Sequence, residues 1–174
     1  MKKNVLVLAV LAVAMLFSTE ISAQKFRGLD KSPLDVATYS TKADGAVAKI
    51  VYSRPQLKGR SMATLAPAGK VWRLGANEST EIRFYKNVTF GGKSVKAGTY
   101  TVFAIPGAKE WTIILNKALH TWGSGRYNQA NDAVRVKGKV SNGSSSVEAL
   151  AITFSKEGKM YIGWENTVVA VTVK

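Results

Sequence analysis

After Gln24, apolar side chains recur at every second position in a series of short runs, and no window sustains the i, i+3, i+4, i+7 spacing of an amphipathic helix. Alternation of that kind predicts half-buried strands. Asp35–Ser40 and Ala46–Ser53 are the first two, joined by a turn at Asp44-Gly45. In the second, Ala46, Ala48, Ile50 and Tyr52 share one face. Arg54-Pro55 ends it, and the segment to Ala68 reads mainly as loop. Lys70–Leu74 is predicted as a short strand and Thr80–Tyr85 as the next. Val88–Phe90 and Lys93–Val95 form a hairpin about Gly91-Gly92, since paired glycines suit a primed turn. Thr99–Ile105, Trp111–Asn116 and Val134–Val140 follow, with a long irregular stretch over Lys117–Asn131. Ser141-Asn142-Gly143 and the three serines after it read as a polar loop. Strands containing Leu150–Phe154, Met160–Trp164 and Val168–Val173 close the chain, with Asn166 between the last two. Short strands separated by turn signals predict an all-β domain, an antiparallel β-sandwich of jelly-roll-like character.

The first residues differ from the rest. Lys2 and Lys3 precede an apolar run from Val5 to Phe17, and Ile21-Ser22-Ala23 supplies the small residue that precedes a cut. The run is shorter than the ~20 residues a spanning helix needs, so a signal peptide over 1–23 is expected, cleaved before Gln24. Residues 24–32 read as a flexible arm and 33–174 as one β-sandwich domain. No second apolar run of spanning length follows, so no transmembrane segment is expected in the mature chain, which would be periplasmic or secreted. With no cysteine, the domain has no disulfides and must be held by burial, which about 150 residues can supply.

The formal net charge is +14, and loss of the leader changes it by only one. Such a balance favours polyanions such as anionic glycans, lipopolysaccharide or nucleic acid, and the partners expected are an anionic glycan, lipopolysaccharide or an envelope protein. The cations are spread along the chain, apart from Arg54/Lys58/Arg60 and Arg135/Lys137/Lys139, so a solvated basic surface is the plainer reading. No specific nucleic-acid partner is expected.

Pro67–Phe84 gathers the most suggestive side chains. Gly75 and Asn77 tolerate positive φ, and a turn there would display Arg73, Asn77 and Glu78 at a strand end with Trp72 beside them. Arg73 offers a planar fork suited to carboxylate or phosphate, unless Glu78 already occupies it. Trp111 and Trp164 are in phase with Ile113 and Ile162 and read as core, whereas Trp72 and Trp122 either cap the sandwich or form a platform for a ligand.

Other chemistries lack parts. One histidine and no cysteine cannot build a usual zinc site, so no metal or cofactor is expected and His120 reads as a surface or packing residue. Gly123-Ser124-Gly125 lacks nucleophile-elbow spacing. A glycosidase pair would set Glu78 against Asp132 or Glu165, while Glu81, in phase with Arg83, reads as solvated.

Several segments together carry a resemblance: Arg54-Pro55, Lys58-Gly59-Arg60, Gly69-Lys70-Val71-Trp72-Arg73 and Gly75-Ala76-Asn77-Glu78. Gly91-Gly92-Lys93, Ala97-Gly98-Thr99-Tyr100, Trp111–Asn116 and Trp122-Gly123 continue it. In that order they resemble the domain of unknown function 2911 family, small exported proteins of Gram-negative bacteria. Ala68 and Leu74 depart from the pattern, standing where tyrosine and threonine are expected. The resemblance implies an exported β domain and supplies no catalytic residue. The leading expectation is a non-catalytic binding module for an anionic ligand, glycan or envelope partner, through Trp72, Arg73, Asn77, Glu78 and Trp122. A small glycan-directed hydrolase using Glu78 and a structural envelope protein are the alternatives.

Overall fold

The computed structural model describes residues 24–174, so the leader and its cut lie outside the described residues. Among the described residues nine strands form: β1 (Leu34–Thr41), β2 (Gly45–Ser53), β3 (Glu81–Phe84), β4 (Val88–Phe90), β5 (Lys93–Val95), β6 (Gly98–Ile105), β7 (Glu110–Asn116), β8 (Asp132–Phe154) and β9 (Lys159–Thr172). A four-residue helix, α1 (Met62–Leu65), interrupts the loop after β2, and Ser61 caps it by accepting from the Thr64 N–H. Seven strands make one antiparallel sheet in the order β1-β2-β3-β6-β7-β8-β9, and β4 pairs with β5 separately.

The sheet closes on itself because β8 is long enough to serve both layers. Its first part pairs with β7, from Asp132 opposite Asn116 to Lys139 opposite Glu110. Its far part returns to the chain leaving β2: the Leu150 N–H donates to the Pro55 carbonyl and the Leu57 N–H to the Glu148 carbonyl, both at 3.0 Å. Between the layers lie Ile50, Ile82, Phe84, Trp111, Ile113, Leu115, Leu150 and Trp164, all fully buried. Each such side chain contributes about 1.5–3 kcal/mol, and with no disulfide this burial carries the fold. The β4–β5 hairpin packs onto the same core through Phe90, whose ring meets Phe84 at 6.0 Å. Gly91 (φ 54°) makes its turn where a Cβ would stand 2.6 Å from Val136 Cβ.

Three expectations need correction. Lys70–Leu74 is not a strand, because only Trp72 reaches Ala104 and Leu74 leaves extended geometry at φ 49°. The serine-rich stretch is not a loop but part of β8, with register shifts between Asn142 and Val147 and between Val147 and Ala151. The last two predicted strands are one, β9, with Glu165 at φ 52° absorbing the irregularity before Asn166.

Candidate functional site

Two adjoining cavities share Ser32 on their walls, and the segment 71–81 runs between them. Its path begins at a turn, Lys70 N–H to Pro67 carbonyl, pinned by Gly69 N–H to the Pro106 carbonyl at 2.9 Å. Trp72 then exchanges two backbone hydrogen bonds with Ala104 of β6, both 2.8 Å. That anchor lays the Trp72 indole flat on Trp164, centroids 5.3 Å apart and 12° from parallel, with Trp111 edge-on at 6.1 Å. Leu74 turns the chain, and its carbonyl accepts from Thr80 Oγ1 at 2.6 Å. Gly75 is needed here for closeness rather than for its φ, since a Cβ would meet the Ser53 carbonyl oxygen and Thr80 Oγ1 at 3.0 Å.

The first cavity, about 410 Å³, lies on the Arg73 side of this path. Arg60, Lys70 and Arg73 line it together with Trp72, and no carboxylate does among the described residues. Arg60 is held in place: its Nε donates to the Leu57 carbonyl and one terminal nitrogen to the Gln56 carbonyl, both at 2.9 Å. Arg73 Nε is buried with no hydrogen-bond partner. Among the described residues no ion pair engages Arg60, Lys70 or Arg73. The carboxylate of Glu165 is turned instead to the Met62 N–H at 3.1 Å. Three cations without a carboxylate, with indoles forming part of the wall, give this cavity a positive and partly aromatic lining.

The second cavity, about 570 Å³, holds Asn77, Glu78, Glu81 and His120, and the arm residues Arg27 and Asp30 complete its rim. Its floor ties the segment to the irregular stretch after β7. Ser79 Oγ lies 2.7 Å from Thr121 Oγ1, and the Ser79 N–H donates to the Thr121 carbonyl at 3.0 Å. Glu81 is not a solvated partner of Arg83; its Oε1 accepts the His120 N–H at 2.8 Å, with His120 Nδ1 at 3.4 Å. Within the arm Asp30 makes a local turn, accepting the Ser32 N–H at 2.7 Å. That bond first, and the Asn77 side chain second, hold the Asp30 carboxyl below the usual range.

The expected cluster is therefore divided. Trp72 and Arg73 face the cationic cavity, Asn77 and Glu78 face the other, and Arg73 is not paired with Glu78. Trp72 is 8% exposed and behaves as core at the cavity wall; Trp122, 61% exposed, bridges in the backbone to Glu78. Asp132 and Glu165 do not share a cavity with Glu78. Asp132 accepts from Asn116, Tyr127 and Arg135 below the irregular stretch. Arg60 and Lys70 were not expected at the site, although each sits in a glycine-flanked basic motif of the resemblance. No group of three or more metal-ligating side chains is assembled among the described residues, and no helix there is long and apolar enough to cross a membrane.

Residues 32–173 match the family described as "Protein of unknown function (DUF2911)". The chain belongs to that family. The matched region takes in β1 to β9 and the linings of both cavities except the arm residues before Ser32. No match was found among curated proteins or among solved structures.

Proposed function

We propose that this DUF2911 protein is an exported, non-catalytic binding module whose ligand presents an anionic group to Arg73. The observation that carries the reading is the cavity lined by Arg60, Lys70 and Arg73 with no carboxylate among the described residues, beside an Arg73 Nε that lacks a hydrogen-bond partner. Leaving a buried donor unpaired costs about 1–3 kcal/mol, and an arriving oxyanion removes that cost. The overall positive charge works in the same direction, drawing anions to the surface before they reach the site. Anionic glycans and lipopolysaccharide are the natural candidates for an exported protein.

The test is a screen of the purified protein on arrays of anionic glycans and envelope lipids, repeated with Arg73→Gln and at rising salt. Binding that falls with both is expected. Glycoside cleavage abolished by Glu78→Gln would replace this reading with the hydrolase.

A further inference from the structure

We infer that the ligand of the Arg73 cavity is an organic phosphomonoester, a doubly charged head on a small apolar body; this rests on the anion-binding reading above. Charge argues for the head. Three cations line the cavity with no carboxylate among the described residues, so a monocarboxylate would engage one fork and leave the other charges uncompensated. A phosphomonoester brings about 1.5–2 negative charges and three terminal acceptor oxygens. Arg60 is already fixed by two backbone carbonyls and keeps donors to spare, and the Arg73 guanidinium lines the same cavity. Both guanidiniums can give charge-assisted N–H bonds to phosphate oxygens, with the flexible Lys70 as a point charge.

Size and wall chemistry argue for the body. A volume of about 410 Å³ falls within the ~300–1,000 Å³ of small-molecule sites, well beyond one bare oxyanion. Beside the cations, Ser32 and Ser124, the wall carries apolar groups: Pro55, Leu65, Pro67, Val71 and the Trp72–Trp164 stack. Inorganic phosphate would leave those groups facing water, whereas a ring or short chain covers them.

The test is calorimetric titration of the purified protein with phenyl phosphate, inorganic phosphate and benzoate at one ionic strength. Phenyl phosphate is expected to bind about tenfold tighter than either of the others. Arg73→Gln and Lys70→Ala are each expected to weaken it by about tenfold or more; Lys70 is exposed, so its loss leaves the fold intact. Inorganic phosphate equal to phenyl phosphate would remove the body, and benzoate equal to phenyl phosphate would remove the double charge. In either case Arg73-dependent binding would leave the anion reading standing. If none of the three binds while an array ligand does so through Arg73, the phosphomonoester alone is overturned. If the arrays are also blank, both readings fall.

Discussion

Tyr52 and Ile152, 100 residues apart, are joined through one phenol: the hydroxyl accepts the Ile152 N–H at 2.9 Å and lies 3.3 Å from its carbonyl. The contact ties β2 to the returning end of β8 and so holds the curl of the sheet closed. Tyr52→Phe leaves a buried N–H without its acceptor and is expected to cost about 1–3 kcal/mol in chemical denaturation. A change of only a few tenths would mean that the Pro55–Leu150 and Leu57–Glu148 backbone bonds hold the closure by themselves.

Alkaline stability reports on the irregular stretch that floors the second cavity. Burial first, then the hydrogen bond to Asp132 and its charge, push the Tyr127 phenol up to about 12, against the opposing pull of Arg135. Since the folded value lies above the unfolded one of about 10, this contribution is complete below pH ~10 and is lost as the pH rises toward 12. Tyr127→Phe is expected to flatten that fall in melting temperature. An unchanged alkaline profile in the variant would show that another group governs it.

The alternation of β1 and β2 was legible because one face is buried more than the other, whereas β6 and β7, buried on both faces over Thr101–Ala104 and Ile113–Asn116, were legible as apolar runs between turn signals. Ser141–Ser146 hid its strand character: it sits where β8 shifts register, so neither burial nor alternation marks it. Trp72–Arg73 looked like strand for the opposite reason, since alternation is present there but only one residue pairs with a neighbour. The site was half legible. A fork-bearing arginine beside a tryptophan could be read from Arg73 and Trp72. The turn at Leu74 that sends Asn77 and Glu78 to the other cavity could not, because leucine gives no sign of a positive φ. Arg60 reaches the site only through the fold, from a loop after β2.

The hairpin glycine offers a steric test. Gly91→Ala places a methyl group against Val136 at a backbone φ that disfavours any side chain. A loss of about 2–4 kcal/mol is expected from overpacking and strain together. A near-neutral variant would mean that the β4–β5 hairpin docks more loosely than its contacts with β9 imply.

Acid is expected to release the arm. The Asp30 carboxyl is held below the ordinary range, so its contribution is present above the unfolded pKa and lost as pH falls through the depressed folded value. At neutral pH, Asp30→Ala should free the segment around Lys31 and speed tryptic cleavage there, with little change in melting temperature. Equal cleavage rates in the two proteins would show that Asp30 does not fasten the arm.

The central claim is that the Arg73 guanidinium takes up an anion, and its unpartnered Nε–H can be watched directly. In a ¹⁵N-labelled sample at constant ionic strength, titration with inorganic phosphate is followed at the arginine Nε–H resonances, with Arg73→Lys assigning the signal. The account predicts that the Arg73 signal moves saturably downfield while the fold's amide signals stay in place. An Arg73 signal that stays put as phosphate rises, or that moves only in step with every other arginine, would contradict it.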